Sequence, residues 1–157
     1  MSAREVIDGL TVVPKVVVYV FRQDDYVLTF TQRDHSDAGM QVPAGTVEPG
    51  EHPDDAAVRE LAEETGFAGE SRLRYFAESY ADVREFKPEI HRRSWYFTSA
   101  RGFPNESWTH SEPRRAPLAD IIAEYRWTPV ADAVEALIAG QQDQLLLAHR
   151  LWKLWRA

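Results

Sequence analysis

Residues 45–67 constrain the fold of this chain more than any other segment, and they read GTVEPGEHPDDAAVRELAEETGF. Pro53 suits the first position of a helix, where no backbone N–H is needed, and Asp54 and Asp55 suit the positive end of the helix dipole. Gly66 offers the left-handed conformation that ends a helix. The segment therefore predicts a loop bearing proline and glycine, followed by a helix between Pro53 and Gly66.

Three glutamates of this helix fall on one face, which we call the acidic stripe (Glu60, Glu63 and Glu64). At about 100° per residue they lie within a sector roughly 100° wide, and like charges at these spacings repel. Arg59 can reach Glu63 at i+4 and offset part of the repulsion. A divalent cation offsets much more, and carboxylate oxygens suit Mg²⁺ or Mn²⁺. An acidic, solvated surface helix is the alternative, but the preceding loop at residues 45–51 favours a metal site.

The fixed residues of this segment follow a spacing that is known from one enzyme family. The pattern G-x5-E-x7-R-E-U-x-E-E-x-G-U, where U is a bulky apolar residue, is formed by Gly45, Glu51, Arg59, Glu60, Leu61, Glu63, Glu64, Gly66 and Phe67. It resembles the signature of the Nudix hydrolases at every fixed position. The resemblance implies an α/β fold with a mixed β-sheet between α-helices. It also implies hydrolysis of a nucleoside diphosphate linked to another moiety, by attack of water on phosphorus.

The resemblance also implies roles for individual residues. The family's metal-ligand positions fall on Glu60, Glu63 and Glu64, with the Gly45 carbonyl as a further ligand. Mg²⁺ is the expected cofactor, and Mn²⁺ is an expected substitute. Arg59 matches the signature arginine, and its expected role is to orient a glutamate through a charge-assisted hydrogen bond. Glu51 is expected to support the loop or to complete the metal shell through water.

The general base stays open between several carboxylates, because the family places it either in the signature helix or on a distant loop. Glu124 precedes a predicted strand in a context that resembles the family's downstream acidic position, so the sequence favours Glu124. Glu112 is the second choice, and Asp120 lies in the same loop region. Each of these residues also fits a solvated loop carboxylate.

Three side chains are candidates for contact with the substrate. Arg33 ends a predicted strand and could reach a phosphate, although such arginines are often only solvated. Arg93 belongs to a basic cluster that consists of Arg84, Lys87, His91, Arg92 and Arg93. These cations could contact a phosphate or the base of the substrate. Alternatively, they protect an exposed strand edge from pairing with another chain. Trp108 could stack on a nucleobase or instead fix its loop to the core.

The rest of the chain reads as strands and helices without a linker or repeat. Predicted strands lie at residues 15–21, 26–32, 41–43, 73–83, 92–100 and 125–129, and predicted helices lie at residues 130–139 and 143–156. Residues 1–11 read as a loosely held lead-in, and residues 102–118, with three prolines, read as a long functional loop. The C-terminal apolar stripe is expected to pack on the domain, with a homodimer contact as the alternative.

Length and charge narrow the class of protein. With 157 residues, the chain is expected to form a single domain over residues 1–157. The formal net charge of −7 argues against duplex nucleic acid as a partner, so a phosphate substrate needs local cations and metal. The sequence shows no signal-peptide pattern and no apolar run of about 18 residues, so no membrane association is expected. The absence of cysteine fits a cytoplasmic location.

Two classes of function fit these features. The first is a Mg²⁺-dependent diphosphohydrolase with a small-molecule nucleotide substrate. The alternative is a non-catalytic nucleotide-binding sensor or scaffold with the same fold, which would have no need to hold three repelling carboxylates together. ADP-ribose, other nucleotide sugars, dinucleoside polyphosphates, oxidised nucleoside triphosphates and capped RNA ends share the scissile linkage, and short motifs do not encode the choice between them.

Overall fold

The computed structural model describes residues 4–156 as a mixed eight-stranded sheet with α-helices packed on both faces. The strands are β1 (Val6–Ile7), β2 (Leu10–Arg22), β3 (Tyr26–Gln32), β4 (Ala44–Thr46), β5 (Arg74–Asp82), β6 (Glu89–Ser99), β7 (Trp108–Glu112) and β8 (Ile121–Pro129). The helices are α1 (Pro53–Thr65), α2 (Val130–Ala136) and α3 (Leu145–Arg156), and residues 36–38 form one short 3₁₀ turn. The predicted α/β class, with a mixed β-sheet between helices, is confirmed.

The strand order places β4 beside the middle of β2. The main sheet runs β5-β6-β2-β3-β8-β7, and among the strands of residues 4–156 only the β2–β6 pair is parallel. On its other edge, β2 pairs with β3 only at Phe21 and Arg22, while β4 pairs with residues 15–17. The sheet therefore opens between β2 and β3, and the loop that leads to α1 starts inside this opening.

Two apolar clusters lie on opposite faces of the sheet, and alternate residues of β2 belong to each. Val16, Val18 and Val20 pack towards α1, whereas Val17, Tyr19 and Phe21 pack towards α2 and α3. Because both faces of β2 are covered, its sequence is a continuous apolar run rather than an alternating one. The helix α1 contributes Ala56, Ala57 and Leu61 to the first cluster, which fixes the position of the acidic stripe.

The predicted helix is confirmed at both ends. Pro53 is its first residue, and Gly66 ends it with a left-handed φ of 82° and a hydrogen bond to Ala62. His52 is exposed, and its Nδ1 accepts the backbone N–H of Asp54 at 3.0 Å. This cap satisfies one of the free N–H groups at the helix start.

Several predicted strand bounds are wrong because partner strands extend them. β2 starts at Leu10 and β6 starts at Glu89, since residues 11–21 pair in parallel with residues 89–99 and Leu10 pairs with Ile7 of β1. β8 starts at Ile121 because it pairs with both β3 and β7. The predicted loose lead-in is wrong from Val6 onwards, where β1 pairs with the start of β2. Residues 1–3 of that lead-in lie outside the described residues.

Two further segments differ from the prediction. The predicted loop at residues 102–118 contains β7, an edge strand whose polar residues and flanking prolines hide its pairing with β8. The short strand expected at residues 41–43 is instead β4, three residues later, while Gln41 forms only an isolated bridge with Phe30. The helix expected at residues 130–139 ends at Ala136.

The C-terminal stripe (residues 145–147, 151, 152, 154 and 155) packs on the second apolar cluster only in part. Leu145 and Trp152 of α3 are fully buried, while Leu151 and Trp155 are partly buried against the same cluster. The remaining members are exposed, namely Leu146, Leu147 and Leu154. Within residues 4–156, no helix combines the length and the apolar character that crossing a membrane requires.

Candidate active site

The strand β4 and the helix α1 bring the glycine of the motif against the acidic stripe. The Glu64 carboxylate accepts the backbone N–H of Ala44 at 3.2 Å. The Glu60 carboxylate packs against Gly45 so closely that any side-chain carbon at position 45 would overlap it. Glycine at this position therefore permits a close approach between backbone and carboxylate.

Arg59 fastens the loop to the helix through a network of charge-assisted hydrogen bonds. Its Nε and Nη2 donate to the two oxygens of Glu51, each at 2.9 Å. Its Nη1 donates to Glu60 at 2.8 Å and to Glu63 at 3.1 Å, and Nη2 also donates to the Thr46 carbonyl at 2.9 Å. This geometry suits a residue that orients glutamates.

Glu51 holds the loop itself. Its Oε1 accepts the backbone N–H of Glu48 at 3.0 Å. The hydrogen bonds from Arg59, and then the one from Glu48, lower the pKa of Glu51 to about 2. Glu51 is therefore a permanent anion within the loop.

Burial acts in the opposite direction on two residues of the acidic stripe. Burial raises the pKa of Glu64 well above its usual range, and the charges of Glu112 and Glu60 raise it further, against a lowering by the Ala44 N–H. Burial also raises the pKa of Glu60, although the hydrogen bond from Arg59 lowers it. The site therefore brings together carboxyl groups whose ionisation would be favoured by a compensating cation.

Alternate side chains of β7 face α1 and add a further carboxylate to the acidic stripe. Trp108 Nε1 donates to the Thr65 carbonyl at 2.9 Å, and His110 Nε2 donates to the Glu63 carbonyl at 2.9 Å. Glu112, two residues later, lies on the same face and raises the pKa of Glu60 and Glu64 electrostatically. The alternation in WTHSE is the sequence signal for this row, and the prediction of a loop at residues 102–118 is wrong here.

The structure does not bring Glu124 to the acidic stripe. Ala123 and Tyr125 of β8 belong to the apolar cluster under α1, so Glu124 points to the opposite face of the sheet. There its Oε1 accepts a hydrogen bond from Arg33 Nε at 2.8 Å. The side chains of Arg33 and Glu124 are 48% and 37% exposed. The favoured base and one predicted substrate contact therefore pair with each other at the surface.

Asp120 and Trp108 also have other contacts. Asp120 is exposed in the loop before β8 and accepts the backbone N–H of Arg114 at 3.3 Å. Trp108 stacks on Tyr125 with ring centroids 5.1 Å apart and 10° between the ring planes, and it meets Phe67 edge-on at 5.4 Å. These contacts match the alternative reading of Trp108 as a group that fixes its loop to the core.

The predicted basic cluster is divided among separate partners. Ion pairs join Arg84 to Asp82 and Arg92 to Glu5, each at 2.7 Å, and a hydrogen bond of 2.8 Å joins His91 to Glu89. Arg93 differs from these residues because only 6% of its surface is exposed. The cluster is therefore not one continuous patch, and Arg93 is its buried member.

The oxygens of the site fit a hard divalent cation in kind, but they are not gathered around one point. Within residues 4–156, no group of three or more His, Cys, Asp or Glu residues is arranged to hold a metal ion. Glu60 is turned towards Arg59, whereas Glu64 has a backbone N–H as its hydrogen-bond partner and no ion pair in the described chain. The buried carboxyl of Glu64 and the close approach of the Glu60 carboxylate to the Gly45 backbone are the features that suit a cation.

Comparison with known protein families and proteins gives one consistent result. The chain matches the NUDIX domain over residues 12–151. It is also similar to an RNA pyrophosphohydrolase from Roseobacter denitrificans, with 29% identity over 146 residues. That alignment covers 83% of this chain and 84% of the relative.

Solved structures share the fold at low sequence identity. A C. elegans Ap4A hydrolase in a binary complex gives a TM-score of 0.63 at 17% identity, covering 90% of this chain and 98% of the other. E. coli dihydroneopterin triphosphate pyrophosphohydrolase gives 0.59 at 20% identity, covering 84% and 91%. The NUDIX domain of Shewanella oneidensis NrtR, complexed with ADP ribose, gives 0.61 at 17% identity, covering 88% and 86%. These similarities concern the fold alone.

Proposed function

The chain belongs to the Nudix hydrolase family, as its sequence predicted, and on that premise we propose that it is a metal-dependent diphosphohydrolase. The proposed substrate is a small-molecule nucleotide, a nucleoside diphosphate linked to another moiety. The proposed cofactor is Mg²⁺, for which Mn²⁺ can substitute, and the proposed location is the cytoplasm. The name of the Roseobacter relative, an RNA pyrophosphohydrolase, supports cleavage of a diphosphate bond.

The buried carboxyl of Glu64 is the single observation that carries this proposal. It is desolvated, lies near Glu60 and Glu112, and forms no ion pair within residues 4–156. Ionising such a group is costly, which is why its pKa is raised. A divalent cation that binds there during function would remove this cost, which explains why the fold keeps the arrangement.

The proposed cation ligands are the Gly45 carbonyl, Glu60, Glu63 and Glu64. A bound Mg²⁺ would neutralise charge on the diphosphate and make a bound water more acidic. For Glu60 to take part, its carboxylate must exchange the hydrogen bond from Arg59 for the cation. The two hydrogen bonds from Arg59 to Glu51 keep the guanidinium in place during that exchange.

Glu112 replaces Glu124 as the proposed general base. Glu112 faces the acidic stripe from β7, whereas Glu124 faces the other side of the sheet and pairs with Arg33. A base must lie within hydrogen-bond reach of the water that it activates. In this proposal, Glu112 accepts the proton of the attacking water, and Arg59 is a positioning residue.

A non-catalytic sensor with the same fold is less well supported. It would bind a nucleotide without cleaving it, and its stability would benefit from losing the repelling carboxylates. The structure keeps the acidic stripe, the close approach at Gly45 and the Arg59 network together. These features support hydrolysis rather than binding alone.

A nucleotide panel tests the proposal. Wild-type protein is incubated with ADP-ribose, other nucleotide sugars, dinucleoside polyphosphates, nucleoside triphosphates and capped RNA ends, with Mg²⁺ or Mn²⁺, and the products are identified. Cleavage between two phosphorus atoms is expected for at least one substrate. The variant Glu64→Gln should lower the rate of this cleavage. Its matched control is Glu135→Gln, which changes an exposed glutamate on α2 and should leave the rate unchanged. Binding without cleavage across the whole panel would favour the sensor.

A further inference from the structure

Arg93 is a buried cation without a direct partner. Only 6% of its surface is exposed, and its guanidinium forms no hydrogen bond and no ion pair within residues 4–156. Burial lowers its pKa, and the charge of Asp143 opposes that effect from beyond ion-pair distance. A buried, unpaired guanidinium is costly, and it is explained if an anionic ligand completes its contacts.

A second cation lies beside Arg93 on the neighbouring strand. Lys15 of β2 and Arg93 of β6 are register partners in the parallel pair. Both lie two residues before members of the same apolar cluster, Val17 and Trp95, so both side chains project from the same face. Lys15 Nζ donates to Thr46 Oγ1 at 2.7 Å, and it too forms no ion pair in the described chain.

Lys15 adjoins the strand that carries Gly45, and Arg93 lies one strand further away. Lys15 pairs with Thr46 of β4 on its other edge, and Gly45 is the neighbouring residue of that strand. Adjacent strands are about 4.8 Å apart, so the backbone of Lys15 lies about that distance from β4, and the backbone of Arg93 lies about twice as far from it. Glu60, which packs against Gly45, attracts the Lys15 ammonium electrostatically.

The backbone at Gly140 packs directly against Arg93. Gly140 has a left-handed φ of 75°, and a side-chain carbon there would lie 2.9 Å from Arg93 Nη1 and 3.2 Å from Asp143 Oδ2. Any side chain at position 140 would therefore press on the guanidinium. Glycine at this position lets the fork of Arg93 lie against the backbone, with the exposed Asp143 close by.

We propose that Lys15 and Arg93 form an anion subsite that binds a further phosphate of the substrate, beyond the diphosphate at the acidic stripe. The proposal rests on the proposed function, and it deepens that function by naming a substrate class. Guanidinium and ammonium groups are the usual donors to phosphate, and Arg binds it through two parallel hydrogen bonds. The preferred substrates are then nucleotides with three or more consecutive phosphates, rather than nucleoside diphosphate sugars.

Equilibrium binding of inorganic triphosphate tests the subsite without turnover. Isothermal titration calorimetry in EDTA compares the wild type with Arg93→Met, Lys15→Met and the control Arg92→Met. Arg92 is the adjacent residue of β6 and pairs with Glu5 at 2.7 Å, so its loss should leave binding unchanged. We expect at least tenfold weaker binding in Arg93→Met and in Lys15→Met. Equal affinity in all four proteins, no binding by the wild type, or an equal loss in Arg92→Met would overturn the subsite.

Thermal unfolding separates a binding role from a structural one. Arg93→Met removes an unpaired buried charge, so its melting temperature should equal or exceed that of the wild type. A lower melting temperature with unchanged triphosphate affinity would make Arg93 structural. If Arg93→Met does not fold, Arg93→Lys keeps the charge but loses the two-pronged donor, and it should weaken triphosphate binding.

Kinetics separates failure of the subsite from failure of the proposed reaction. In a hydrolytic wild type, Arg93→Met should raise KM for a nucleoside triphosphate at least tenfold while changing KM for a nucleoside diphosphate sugar little. Equal effects on both substrates would refute the named class and leave hydrolysis intact. Triphosphate binding that depends on Arg93, in a protein that hydrolyses nothing, would uphold the subsite and refute the reaction.

Discussion

Replacing Glu64 by glutamine tests the acidic stripe with a small change of shape. In the structure, the Glu64 carboxylate accepts one hydrogen bond, from the backbone N–H of Ala44 at 3.2 Å. Burial raises its pKa, and the neighbouring charges of Glu112 and Glu60 raise it further. Glutamine keeps the volume and removes one negative charge from a group of carboxylates that repel one another.

The substitution should affect activity and stability in different ways. Loss of a preorganised electrostatic group lowers kcat by about 10²–10³, which corresponds to about 2.7–4 kcal/mol of transition-state stabilisation. Relief of the like-charge pair with Glu60 at i,i+4 contributes about 0.2–0.5 kcal/mol to the free energy of unfolding in the absence of metal. We therefore expect at least a hundredfold lower kcat, with a melting temperature in EDTA that is unchanged or higher.

The assay combines steady-state kinetics in Mg²⁺ with thermal unfolding in EDTA. Glu135→Gln, on the exposed side of α2, should match the wild type in both measurements. Near wild-type turnover in Glu64→Gln would mean that the acidic stripe is ordinary helix surface. A clearly lower melting temperature in EDTA would show that the Glu64 carboxylate stabilises the metal-free fold, contrary to the argument from repulsion.

Three further predictions concern other parts of the fold. Glu112→Gln should lower kcat strongly with little change in KM, whereas Glu124→Gln should behave like the wild type; the reverse result would restore Glu124 as the base. Trp108→Ala should lower the free energy of unfolding by about 3 kcal/mol, because its ring packs on the core. In the same variant, weaker substrate binding at an unchanged melting temperature would instead support a nucleobase platform. Burial lowers the pKa of His149, so the unfolded chain binds more protons below about pH 6.5 and acidification there should destabilise the fold. His149→Gln should flatten the fall in melting temperature between pH 6.5 and pH 5, and an unchanged slope would contradict this.

Local signals in the sequence were sufficient for the helix and its acidic face. Pro53 and Gly66 mark the two ends of α1, and their effect depends on backbone geometry within a few residues. The spacing of Glu60, Glu63 and Glu64 likewise depends only on the period of the helix. The contact of Arg59 with Glu63 at i+4 follows from the same period, and the structure contains it.

The remaining parts of the site depend on contacts between distant segments. Glu112 reaches the acidic stripe because β7 pairs with β8 along its length and turns alternate residues towards α1. Prolines on both sides of β7 suggested a loop, and the sequence alone did not reveal the partner strand. Lys15 and Arg93 become neighbours only through the parallel pairing of β2 and β6, whose residues are far apart in the chain.

Hydrolysis before and after removal of divalent cations tests the central claim most directly. A nucleotide substrate identified by the panel is incubated with exhaustively chelated wild-type protein, and again after Mg²⁺ is returned in excess of the chelator. The account predicts that turnover disappears on chelation and recovers with Mg²⁺, because the carboxylates of the acidic stripe then hold the cation that neutralises the diphosphate. Sustained turnover under thorough chelation would contradict the account.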